Sequence, residues 1–232
     1  MFYTIPLVIY VLHLGEEEGF ANNISDEQIF SGIEQLNSGF RSKSGQGIDT
    51  NIQFQLAKQT PEGKSTTGIL RVNASNIKGY EEHGVADRGE PTPLGAGEVE
   101  LKNTSKWDNA RYYNIWIVSK IEASNIQAFA YFPGTSPDYD GTMILNTAWD
   151  DQGKTIIHEL GHALGLYHTY EAYSEDGLST KQNGCPENTN CNTQGDLCCD
   201  TDPHIQVADF TVPSLSLMCV QRIYMEMLYI II

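Results

Sequence analysis

The chain has 232 residues, 40% of them hydrophobic, with a formal net charge of -16 and a pI near 4.6. That length supports a compact core in one unit, in one or two lobes. The acidic balance argues against a phosphate backbone or an anionic membrane as partner, since both need clustered Lys and Arg; acidic loops suit calcium or simply a solvated surface.

In chain order, the opening "MFYTIPLVIYVLHLG" has no basic residue before its apolar run, no small-residue cleavage site after it, and too little length to span a bilayer. It reads as a buried β-strand, with any export signal outside this sequence. Ser25 and Gln28 form a capping box, and Ile29, Ile33, Leu36 and Phe40 then recur at helical spacing, which predicts an amphipathic helix. Ile52, Phe54 and Leu56 alternate as a second strand, and "TGILRV" reads as a third. Residues 75 to 110 are polar and rich in Gly and Pro, the texture of a long loop.

Strand-like runs return at "YYNIWIVSK", "IQAFAYFPG" and "GTMILNT", just ahead of a helical stretch, "TIIHELGHALGLYH", at 155–168. This order predicts an α+β lobe with one mixed sheet. Residues 169 to 204 then carry Gly, Asn, Asp, Thr and Cys with little periodicity, so bonds other than a large core must hold them. All five cysteines (Cys185, Cys191, Cys198, Cys199, Cys219) fall in the last quarter of the chain, which argues for a disulfide-stapled segment in an oxidising compartment. The odd count leaves at least one unpaired within the chain. Cys198 and Cys199 are expected to bridge different partners, and the connectivity stays open.

The chemistry lies in the helical stretch. His158 and His162, four apart, stand on one helix face and can converge on one metal ion, with Glu159 leaning over the same site without ligating. Gly165 can adopt the left-handed conformation that ends a helix, which frees His168 to return as a third ligand. Three imidazoles on Zn²⁺ leave a fourth position for water, the mark of a catalytic zinc site, and lower that water's pKa towards ~7. Glu159 can take the water's proton and pass it to a leaving amine, so the predicted reaction is amide hydrolysis. A core helix with surface histidines would account for neither Gly165 nor His168. His13, His83 and His204 read as structural or solvated. Sequons occur at Asn23, Asn73 and Asn103 and matter only in a glycosylating secretory pathway.

With these residues the chain resembles a metzincin metallopeptidase, carried by "HELGHALGLYH", and within that clan the pappalysin and ulilysin family. The narrower likeness rests on "IPLVIYVLH", "NISDEQIFSGIEQLNSGFR", "DTNIQFQLA", "TTGILRV", "WDNARYYNIWIV", "DGTMILN" and "QGDLCCDTD", in that order. The resemblance implies an α+β zincin fold over residues 1–232. Residues 1–165 would form an upper lobe with a mixed twisted sheet and the active-site helix. Residues 166–232 would form a small irregular lower lobe stabilised by disulfide and calcium. It implies zinc ligands His158, His162 and His168, a general base at Glu159, and calcium at Asp196, Asp200 and Thr201, where "GDLCCDT" matches the family pattern. It also implies a methionine turn followed two residues later by a tyrosine that can hydrogen-bond the tetrahedral intermediate. Met227 with Tyr229 fits that spacing, whereas Met218 and Met225 are followed at the same distance by Val220 and Met227. Relatives continue beyond the equivalent of Tyr229 and begin with a pro-segment, so the chain reads as truncated at both ends.

The expected function is therefore a secreted zinc endopeptidase acting on protein or peptide substrates, with the backbone of residues 126 to 134 pairing the substrate as an added strand. The alternatives are an inactive metzincin scaffold serving as a binding module, and a structural domain clamped by its metals. An intact Glu159 argues against both.

Overall fold

The computed structural model describes residues 2–42, 48–123, 125–149, 153–171, 173–174, 181–182, 185–186, 190–201 and 204. The chain divides after Leu164 into two compact units.

The first unit is organised by its opening strand, β1 (Tyr3–His13). Six successive residues, Leu7 to Leu12, are fully buried; Leu7, Ile9 and Val11 enter one hydrophobic cluster and Val8, Tyr10 and Leu12 another. A strand covered on both faces has no solvent side, which is why the sequence shows an unbroken apolar run here instead of alternation. β2 (Ile52–Leu56) and β3 (Ile69–Asn73) pair in parallel with the first and second halves of β1, and β4 (Tyr113–Val118) pairs in parallel with its middle. The sheet continues through β6 (Thr142–Leu145), parallel to β4, to β5 (Ala128–Phe129), which is antiparallel and forms the edge. The sheet is mixed, as expected.

One face is covered by α1 (Asp26–Phe40) and α4 (Lys154–Ala163). The capping box forms as read: the Ser25 hydroxyl accepts from the Gln28 amide while the Gln28 side chain accepts from the Ser25 amide. Ile29, Ile33, Leu36 and Phe40 are all buried. Arg71 on β3 ties this helix start to the sheet, reaching the Ile24 carbonyl at 2.7 Å and Asp26 at 2.6 Å.

The other face is covered by the excursion at 75 to 110. The sequence reads it as loop, but it holds two short helices, α2 (Tyr80–His83) and α3 (Glu98–Asn103), that bury Tyr80, Leu101, Glu98 and Lys102. Helices of four and six residues are too short to show a period, and their buried charges disguise them as surface. The segment 126 to 134 is also shorter as a strand than expected, because Pro133 and Gly134 (φ 92°) turn the chain. Asn23 is only 4% exposed, and its side-chain nitrogen donates to the Glu16 carbonyl, so this sequon is closed to a glycan in the folded chain. Asn73 and Asn103 are exposed.

In the second unit β7 (Tyr173–Ser174) pairs antiparallel with β10 (Gln194–Gly195), and β8 (Lys181–Gln182) with β9 (Cys185–Pro186). Cys191 and Cys199 form a disulfide while Cys198 is a free thiol, so of the adjacent pair only Cys199 bridges, against the expectation that each would have its own partner. Among the described residues no helix is long and apolar enough to cross a membrane.

Candidate active site

α4 presents two faces. Ile156 and Leu160 join the core, and Glu159 is buried with them, while His158 and His162 are only half-buried on the adjoining face. The four-residue spacing brings the imidazoles together: their Nε2 atoms are 2.9 Å apart and their ring centroids 4.4 Å. The helix ends where the sequence predicts. The Leu164 amide bonds back to the Leu160 and Gly161 carbonyls, and Gly165 takes φ 96°, a conformation costly for any residue with a Cβ.

Beyond this turn, ligand atoms of His158, His162 and His168 all lie within 4.8 Å of one another. His168 Nδ1 is 3.3 Å from a Glu171 carboxylate oxygen, and its ring stacks on Tyr170 at 4.7 Å. A carboxylate on one ring nitrogen fixes the tautomer and turns the other nitrogen towards a metal. Three converging imidazole nitrogens match the donor preference of Zn²⁺, so the residues present fit that ion. Among the described residues this is the one group of three or more His, Cys, Asp or Glu side chains so arranged.

Burial pushes the Glu159 carboxyl up to about 7, partly offset by a hydrogen bond from the Ala130 amide. A carboxyl poised near neutrality is suited to moving a proton in either direction. Phe132, two residues further along, sets its ring 5.4 Å from that of His162. Ala130, Phe132 and Glu171 are neighbours that sequence reasoning missed. Glu171 had a signal, an acid three residues after the last histidine; the other two had none, since their partners are distant in the chain.

His204 is buried, and its Nε2 bonds the Thr169 hydroxyl, in keeping with a structural role. His13 lies at the end of β1 with Glu16 4.0 Å away, and His83 closes α2. Asp196 is 5% exposed; one carboxylate oxygen accepts from the Cys198 amide at 3.0 Å and the group also bonds Thr201. Burial, and then the charge of Asp200, hold its carboxyl above the ordinary carboxylate range against those bonds. Met227 and Tyr229 lie outside the described residues, as do Met218 and Met225.

Comparison with known proteins bears on the same residues. A family model described as Peptidase_M43, pregnancy-associated plasma protein-A, matches residues 98–212. Human pappalysin-1 is 33% identical over 109 residues, covering 45% of this chain and 6% of that protein. An extracellular metalloprotease of Arthroderma benhamiae is 27% identical over 208 residues, 79% of this chain and 62% of the fungal protein. The chain thus spans less than two thirds of either relative. Among solved structures, mature mirolysin of Tannerella forsythia in complex with a cleaved peptide aligns with a TM-score of 0.57 at 26% identity, covering 84% of this chain and 73% of that one.

Proposed function

This chain belongs to the Peptidase_M43 pappalysin family of metalloproteases, and from that premise we propose that it is a zinc-dependent endopeptidase that hydrolyses peptide bonds of extracellular proteins. The observation that carries the reading is the convergence of His158, His162 and His168 beside a buried carboxylate, Glu159. Zinc held by the three imidazoles supplies a Lewis acid that lowers the pKa of a water and polarises a carbonyl.

The chain's own residues do the rest. Glu159 accepts a proton from the attacking water and delivers it to the departing amine, leaving a carboxylate and an amine as products. Its buried surroundings keep bulk water from competing for that proton. The edge strand β5 offers backbone groups to an extended peptide, which would add as a further strand. Tyr229, following the methionine turn at Met227, is assigned to hydrogen-bond the oxygen of the reacting carbonyl.

The test is cleavage of a quenched fluorescent peptide mixture by the full chain and by Glu159→Gln, with zinc measured on both. The expected result is cleavage by the parent, abolished by a chelator, and a variant that keeps its zinc but is slower by about 10²–10⁴-fold. A parent that binds one zinc and cleaves nothing rejects the reading in favour of an inactive scaffold used for binding.

Calcium at Asp196, Asp200 and Thr201 belongs to the same proposal, supported by two carboxylates and a hydroxyl in a segment with little core. A buried acid whose folded pKa is raised favours folding at low pH and disfavours it as pH rises past the ordinary carboxylate range. Without calcium, residues 190–201 should therefore loosen towards neutral pH, and added calcium should restore their amide protection. Asp196→Asn should be insensitive to both pH and calcium; a parent segment indifferent to calcium would reject this ligand set.

A further inference from the structure

On the sheet face opposite α4, the chain buries charge that the proposed reaction does not use. Glu98 and Lys102, one turn apart on α3, are 6% and 0% exposed and pair at 2.7 Å. Such a pair adds little net stability over apolar residues of equal volume, so what it holds in place has to explain it. Glu98 accepts a 2.6 Å hydrogen bond from the Tyr131 hydroxyl, and Arg88 stands 3.6 Å from the same carboxylate oxygen. Lys102 donates to the Tyr139 carbonyl and lies 4.9 Å from the Tyr131 ring centroid. The Arg88 guanidinium covers Phe129 at 4.7 Å and Tyr131 at 4.8 Å.

These contacts grip alternate residues, 129 and 131, of the segment that starts as β5. The residue after them meets α4: the Phe132 ring lies 5.4 Å from that of His162. One short segment is thus clamped from one side and touches His162, one of the three converging histidines, on the other.

We propose that Glu98, Lys102 and Tyr131 are positioning residues: the buried ion pair clamps residues 129–132 so that the Phe132 ring stays packed on His162 and the β5 edge stays aligned for a peptide. The alignment of the peptide rests on the endopeptidase reading; the hold on His162 does not.

The experiment follows single-residue amide exchange by NMR in the zinc-loaded full chain, with cleavage measured in parallel. Glu98→Gln keeps the shape and removes the charge facing Lys102; Tyr131→Phe removes one hydroxyl and keeps the ring. Amide exchange across residues 129–132 is expected to rise about tenfold in Glu98→Gln and by less in Tyr131→Phe, while amides of β1 and α1 keep their protection. kcat should fall with zinc content unchanged. Unaltered exchange across residues 129–132 in both variants overturns the proposal, as does a rise spread evenly over β1 and α1, which would mark a general loss of fold. Should Glu98→Gln not fold, Tyr131→Phe decides by the same two criteria. A parent that protects residues 129–132 but cleaves no peptide sinks the endopeptidase reading alone, because the exchange result is judged without it.

Discussion

On one face of the central sheet, α1 and α4 lay Ile29, Leu36, Ile156 and Leu160 against Leu7, Ile9 and Val11. On the other, Val8, Leu12 and Met143 share their burial with Glu98, Lys102 and Asn114, and the Tyr10 hydroxyl donates to Asn114 at 2.9 Å while accepting from the Trp107 amide at 2.9 Å. The first face is held by area and volume, which degrade gradually. The second depends on partners whose loss leaves a buried charge or dipole unanswered. The difference teaches where each kind of face is put to use. The helix face carries the histidines on α4, while the polar face grips the edge segment whose Phe132 ring meets His162.

The comparison can be broken in order of expected effect. Glu159→Gln comes first, since it removes the proposed proton carrier and spares the packing of both faces; activity should fall as above while the melting temperature barely moves. Leu36→Ala on the helix face should cost about 2–5 kcal/mol by chemical denaturation, from lost transfer energy plus a cavity. On the polar face Lys102→Met should cost about 3 kcal/mol by leaving Glu98 buried beside a thioether, yet the double variant Glu98→Leu with Lys102→Met should recover most of that loss. Such recovery has no counterpart at Leu36. If the double variant is no more stable than Lys102→Met, the two faces do not differ in the way described. The smallest effect sharpens the picture: Ser25→Ala should cost about 1 kcal/mol, because one helix-end amide loses its partner and nothing is buried or exposed.

The sequence by itself determined whatever depends on neighbours within a turn or two. The capping box at Ser25 and Gln28, the buried stripe of α1, the pairing of His158 with His162 and the release of the chain at Gly165 all follow from helical geometry, whose reach is four residues. The long apolar run of β1 likewise announced a buried strand. What only the tertiary structure decided lies between distant segments. Nothing local marks Glu98 and Lys102 as interior, since an acid and a base four apart are usually a solvated helix face. Nothing local says that Phe132 meets His162, that Asn23 is sealed, or that Cys199 chooses Cys191. Those outcomes depend on which chain segments fold against each other, and a buried charge or a bridging amide is stabilised only after the partner from elsewhere in the chain has arrived.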